Sequence, residues 1–203
     1  WLVLQGAQVG AALQGSQQVL VVDVGGGTTD LTLIRADPAA DGSLPTLTRT
    51  AVGEHLMLGG DNMDLALAHQ LEPQWAGAGQ RLPAARFAQL VQRCRVAKEL
   101  LLAADAPDST PVTLLGSGSQ WLAQARSATL TRTQVQQWVV DGFLPLTPLT
   151  QPPARHQGAL RGLGLPYPAD AAISRHLAQF LEQQGGGALP DTVLLNGGVF
   201  HAD

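Results

Sequence analysis

Three consecutive glycines, Gly25-Gly26-Gly27, interrupt a run of strand-forming residues and leave few ways to fold what surrounds them. Val19 to Val24 is apolar apart from Asp23, and Leu31-Thr32-Leu33-Ile34 resumes that character beyond Thr28, Thr29 and Asp30. Strand, tight glycine turn, strand is the reading. A carboxylate inside an apolar strand is costly to bury without a partner, so Asp23 requires a metal, hydrogen-bond donors or an exposed strand end. Glycine lets a backbone approach an anion closely and adopt positive φ, so the turn is expected to cradle phosphate with its N–H groups.

Two other phosphate motifs do not fit. A Walker A loop needs Gly-Lys-Ser/Thr, and the only lysine, Lys98, is remote from any glycine cluster. A dinucleotide fingerprint needs a helix after its glycines, whereas a second strand follows here. What remains is a Gly-Gly-Gly-Thr hairpin with an acid on each arm.

Beyond the hairpin, Leu44 to Val52 alternates well enough for a third strand. Gly59-Gly60 ends the sheet, and Asp61 to Leu71 has helical spacing with Asp61 as the expected N-cap. Pro83 opens the strongest helix, whose Phe87, Leu90, Val91, Cys94, Ala97 and Leu101 trace one face as far as about Ala104. Pro111–Leu115 and Ala128–Leu130 read as short strands around a Gly116–Ser119 turn. Thr131 with Gln134 forms a capping box for a helix through Val140. Residues 144–168 read as a long irregular connection. Asp170 then caps a helix carrying Ile173, Leu177, Phe180 and Leu181, closed by Gly185-Gly186-Gly187, and Thr192–Leu195 is a last strand. A helical middle interrupting a sheet built from both chain ends implies two subdomains, the second inserted in the first.

The 203 residues, 45% hydrophobic and 14% charged, suffice for a real core and exclude disorder as the default. A net charge of −4 provides no basic field for nucleic acid. Cys94 is the single cysteine, so no intrachain disulfide forms and a reducing, cytoplasmic setting is expected. No apolar stretch approaches the roughly 20 residues of a membrane span, and the amino terminus lacks signal-peptide character. Starting at Trp1 rather than Met, the sequence reads as a piece of a longer chain.

Val22-Asp-Val-Gly-Gly-Gly-Thr-Thr-Asp30 resembles the second phosphate motif of the seventy-kilodalton heat-shock (DnaK-like) chaperones, within the actin and sugar-kinase superfamily. Leu58-Gly-Gly-Asp-Asn-Met-Asp64 resembles the Leu-Gly-Gly-Glu-Asp-Phe-Asp that opens their inserted subdomain. Cys94-Arg-Val-Ala-Lys-Glu-Leu100 is similar to their adenosine helix, and Leu194-Leu-Asn-Gly-Gly-Val199 stands where they have an adenosine loop. The four motifs occur in the family's order and span nearly the whole chain.

The resemblance implies an α/β fold: an actin-like ATPase (ribonuclease H-like) lobe with an inserted α+β subdomain. Residues 1–60 and 165–203 would form the sheet-bearing subdomain and residues 61–164 the insertion. It also implies an ATP/ADP site with Mg2+. Gly25, Gly26 and Gly27 would hold the β- and γ-phosphates, and Thr28 would offer its hydroxyl to the γ-phosphate. Asp23 would act through water on Mg2+ and on the attacking water. Gly60, Lys98, Glu99, Gly197 and Gly198 would complete the nucleotide site. Further implied partners are a first lobe, a substrate-binding domain and client proteins; the piece alone is expected to bind nucleotide weakly and hydrolyse none.

Several readings stay open at this level. Gly59-Gly60 is either a plain helix-start turn or part of a cleft. Positions 95, 98, 99 and 102 share one helix stripe, where the family has Glu, Lys, Arg and Ser and this chain has Arg95, Lys98, Glu99 and Leu102. Arg95 and Glu99 are thus either an ordinary surface ion pair or part of an altered base site. His201 stands where the family has a stacking arginine. Cys94, Trp75, Trp121 and Trp138 are expected packing residues, Trp1 is expected to trail a helix, and none of the five histidines is spaced to bind metal. The parent is therefore a chaperone-like ATPase, another superfamily member such as a sugar kinase or filament protein, or a pseudo-ATPase serving as an interaction scaffold.

Overall fold

The computed structural model describes residues 13, 15, 17–39, 45–77, 79–115, 126–154, 169–186 and 189–200. The Gly116–Ser119 turn, Trp1, Trp121, Gly187, His201 and much of the 144–168 connection lie outside these residues.

The chain is mixed α/β. Strands β1 (Gln18–Val24), β2 (Thr29–Asp37), β3 (Thr46–Val52) and β6 (Thr192–Asn196) form one sheet in the order β3-β2-β1-β6. β1 runs antiparallel to β2 and parallel to β6, so the sheet joins the two ends of the described chain. β1 is central, and Val19, Leu20, Val22 and Val24 are all buried, the near-continuous apolar run of a strand flanked on both sides. β2 alternates more cleanly, burying Thr29, Leu31, Leu33 and Ala36 between exposed positions such as Asp30 and Arg35. The parallel register is pinned at its start by Asp191. Its Oδ2 accepts from the amides of Gln17 and Gln18, both at 2.9 Å, while its own amide donates to Gln18 O.

Between β3 and β6 lies a helical layer. Helix α1 (Gly60–Leu71) turns through a short α2 (Pro73–Ala76) into α3 (Ala84–Leu102). The hairpin β4 (Ser109–Leu114) and β5 (Arg126–Thr131) follows, antiparallel, then α4 (Arg132–Val135). α4 continues through a π-helical turn (Gln136–Val140) into α5 (Asp141–Phe143), and α6 (Ile173–Gln184) precedes β6. α1 packs on α3 and on the π-turn, and α3 packs on β4. One apolar core runs from Leu20, Val22 and Leu31 in the sheet through Met63, Leu67, Leu90 and Leu101 to Val112 and Leu130 in the hairpin. Each such leucine, fully buried, stabilises the fold by about 1.5–3 kcal/mol.

Local signals resolve as follows. The Thr131–Gln134 capping box forms: Gln134 N–H donates to Thr131 Oγ1 at 3.2 Å, and Thr131 N–H to Gln134 Oε1 at 2.9 Å. The N-cap of α1 is Gly59, not Asp61, because the Asn62 side chain accepts from the Gly59 amide at 2.8 Å and draws the helix start back. At α6 the cap likewise falls on Ala172 rather than Asp170. The buried Asp170 carboxylate instead gathers three donors, Ala154 N–H, Ala172 N–H and Arg175 Nη1, at 2.7–2.9 Å. Burial alone would raise its pKa, but these donors hold it below the ordinary carboxylate range. Trp75 is buried with its indole N–H on Arg126 O, Trp138 packs half-buried against the core, and Cys94 is fully buried on the inner face of α3.

Candidate nucleotide cleft

The glycine hairpin is docked on the start of α1. Gly25 O accepts from Gly60 N–H at 3.0 Å, and Gly26 O accepts from Asp61 N–H at 2.7 Å. The first amides of α1, which a helix leaves unsatisfied, are therefore spent on the hairpin. Thr29 Oγ1, buried, donates to Leu58 O at 2.8 Å and fastens the same junction. Gly59 is fixed by space. A Cβ there would lie 2.5 Å from both Gly25 O and Gly26 O, which no side chain tolerates. The Gly59-Gly60 pair is thus a helix start, and Gly60 also lines the cleft beside it.

The triplet behaves differently from the sequence expectation. None of Gly25, Gly26 and Gly27 has positive φ. Nor does packing demand glycine: a Cβ would meet only Thr28 O at 3.6 Å from position 25, the Asp61 carboxylate at 3.5 Å from position 26, and nothing from position 27. The Gly25 amide is consumed by Thr28 O at 2.8 Å, closing the turn. Those of Gly26, Gly27 and Thr28 take no backbone partner among the described residues. Three consecutive amides are thus left open, shifted one residue along from the three glycines.

A cleft of about 430 Å³, within the range of small-ligand sites, opens beside this loop. Gly25, Gly26, Gly60, Lys98, Glu99 and Gly198 line it, so the structure gathers six of the ten expected site residues from four separate motifs. Arg95 and Leu102 complete the helix stripe on the same wall. Asp23, Gly27, Thr28 and Gly197 stand outside the lining. Asp23, half-buried at the end of β1, faces β6, where Asn196 Nδ2 donates to its Oδ2 at 2.8 Å. Gly197 has φ +94°, and its missing Cβ would collide with Val24 O and crowd Asp23 Oδ1. Gly197 thereby shapes the floor under Asp23.

Several lining residues were not among the expected site residues. Asp64 pairs with Lys98: Nζ lies 2.7 Å from Oδ1 and 3.3 Å from Gly60 O, and both side chains are almost fully buried. That oxygen has no other donor, and burial raises the Asp64 carboxyl above its ordinary range in spite of Lys98. Asp61 sits against the glycine loop. Met63, Val139, Val140, Leu144 and Val199 supply hydrocarbon walls. Residues 34 positions apart cannot be matched by helical period, and only the i, i+3 spacing of Asp61 and Asp64 hinted that both face one side. Arg95 and Glu99 form the ordinary i, i+4 pair, Nε to Oε1 at 3.1 Å, on the rim of the same cleft.

Among the described residues no three His, Cys, Asp or Glu side chains group to cage a metal. Mg2+ bound through phosphates and water needs only one or two carboxylates. Asp23 fits that requirement, because its Oδ1 takes no donor among the described residues. No described helix is long and apolar enough to cross a membrane. Compared with protein-family models and with curated proteins, the chain has no match.

Proposed function

We propose that this chain supplies the phosphate- and adenosine-holding wall of an ATP site in a cytoplasmic, DnaK-like chaperone ATPase of the actin-like (ribonuclease H-like) fold. Residues 1–60 and 165–203 would be its sheet-bearing subdomain and 61–164 the insertion. The observation that carries the reading is the glycine triplet: neither positive φ nor packing requires glycine at positions 25–27, yet open amides follow one another at positions 26–28, in a loop whose Gly25 and Gly26 line a cleft. Close approach by an external anion is the physical use left for three such glycines.

In this reading the amides of Gly26, Gly27 and Thr28 hold the β- and γ-phosphates, with Gly25 keeping the approach clear. Thr28 offers its hydroxyl to the γ-phosphate. Mg2+ would neutralise phosphate charge, and Asp23 would hold it through water. Gly60, Lys98, Glu99 and Gly198 border the adenosine, with Gly197 beneath. Fixed dipoles aimed at phosphate are the main source of catalysis in such reactions. A partner lobe, a substrate-binding domain and client proteins belong to the same proposal.

One observation favours a second reading, a pseudo-ATPase scaffold. Both cationic side chains among the described cleft residues are already paired, Lys98 with Asp64 and Arg95 with Glu99, leaving no unspent positive charge for a triphosphate. Calorimetric titration of MgATP into the full-length protein and its Gly27→Ala variant decides between them. Expected are saturable binding by the wild type and at least about tenfold weaker binding by the variant, equivalent to about 1.4 kcal/mol, at unchanged melting temperature. An absence of binding by the wild type would replace the ATPase reading with the scaffold.

A further inference from the structure

We propose that the Lys98–Asp64 pair is a positioning device for the open amides of the glycine hairpin, acting through Gly60 and the hairpin carbonyls rather than by touching the ligand. This rests on the nucleotide reading above and deepens it.

The path is a chain of short polar contacts. Lys98 Nζ, on α3, pairs with Asp64 Oδ1 at 2.7 Å and donates to Gly60 O at 3.3 Å. Gly60 is the first residue of α1, and its own N–H donates to Gly25 O at 3.0 Å. The next amide, that of Asp61, donates to Gly26 O at 2.7 Å. Each of these carbonyls shares a rigid, planar peptide unit with the N–H that follows it, which points the opposite way in the trans form. Holding Gly25 O therefore fixes the direction of the Gly26 N–H, and holding Gly26 O fixes that of Gly27. Those are two of the three open amides. The junction has no slack to absorb a displaced helix start, because a Cβ on Gly59 would already lie 2.5 Å from both carbonyls.

Asp64 has a definite part in this. Lys98 and Asp64 are only 9% and 3% exposed, and a buried ammonium is costly to keep charged without a carboxylate beside it. Asp64 thereby seats Lys98 on Gly60 O. It also brings a negative charge into the lining of the cleft. As a bystander, that charge would weaken the binding of a polyphosphate; as the partner that seats Lys98, it strengthens it. An ammonium has three N–H donors, and the third takes no partner among the described residues. A direct grip of that donor on phosphate is the rival, and the sign of the Asp64 effect separates the two.

The test is calorimetric titration of the full-length protein with MgATP and with magnesium tripolyphosphate. Asp64→Asn removes a negative charge from the cleft, yet is expected to weaken both ligands by about tenfold, the lower end of what loss of a supporting partner costs at metal sites. Lys98→Met should weaken both to the same extent, and Asp64→Leu/Lys98→Met no further, because the two side chains act as one unit. The double variant is also the control for folding. Its stability in urea should be largely restored, while its affinity stays low because Gly60 O has lost its donor. In the ligand-free protein labelled at glycine amides, the Gly26 and Gly27 resonances should move in all three variants. Tighter or unchanged binding by Asp64→Asn would overturn the inference and leave the phosphate site standing. Wild-type affinity in the double variant would do the same, since the pair would then be a stabilising contact alone. Binding of neither ligand by the wild type overturns the inference together with the function on which it rests.

Discussion

Lys98 and Asp64 form a buried ion pair, Nζ 2.7 Å from Oδ1, that ties the C-terminal half of α3 to the second turn of α1. Removing one partner strands the other charge in a place it cannot leave. Asp64→Ala is expected to cost about 3 kcal/mol in urea unfolding, and Lys98→Met a similar amount. The double variant Asp64→Leu/Lys98→Met is expected to recover most of that loss, because no uncompensated charge remains. Additive single and double effects would show that the pair is not a unit.

The glycines divide into those needed by the fold and those free of it. Gly59→Ala and Gly197→Ala force backbone to move, since the added Cβ would press on Gly25 O and Gly26 O in the first case and on Val24 O in the second. Each is expected to lower stability by about 2 kcal/mol, with position 197 the worse because its φ of +94° is also strained for alanine. Gly27→Ala enters open space and should leave the melting temperature within about 1 °C, as surface substitutions do. Scanning calorimetry of the three variants gives the ranking directly.

Acid should destabilise this chain over two pH windows. His69 is pushed below its ordinary pKa by burial and by Arg81. Burial pushes Glu72 up, but the Leu82 amide, the Arg81 guanidinium and His69 overcome it and hold it low; Asp170 is held low in the same way. All three folded values lie below the unfolded ones, so the unfolded chain takes up protons first as pH falls. Their stabilisation is complete above about pH 6.5 and is lost through the histidine range, then through the carboxylate range near and below about pH 4. Asp64, whose carboxyl is raised, works in the opposite sense. Urea midpoints measured from pH 7 to pH 3 should fall, and Glu72→Gln with Asp170→Asn should flatten the lower limb by starting from a less stable protein at neutral pH.

Cys94 should be inert while the chain is folded. It is fully buried, and burial with the nearby Asp64 charge pushes its thiol up to about 12. Thiolate is the reactive form, so alkylation at pH 8 is expected to proceed only at the rate of unfolding, and to become immediate in urea. Rapid labelling of the native chain would place Cys94 outside the core.

By itself the sequence determined what depends on neighbours along the chain. The glycine turn between two apolar runs set β1 and β2 in antiparallel register, with Asp23 opposite Asp30. The 3.6-residue period of α3 put Cys94, Ala97 and Leu101 inward, and the spacing 95, 98, 99 and 102 sent those residues to one wall of the cleft. The Thr131–Gln134 box was equally local. Tertiary structure decided what depends on elements meeting in space. The meeting of hairpin and α1 makes Gly59 obligatory, through carbonyls 33 and 34 residues away. The packing of α1 on α3 gives Lys98 its carboxylate, and the parallel pairing of β6 beside β1 brings Asn196 and Gly197 to Asp23. Periodicity assigns a side chain to a face; which face it meets is set by burying the shared core, and that burial decides which charges are paired and which backbone groups remain open.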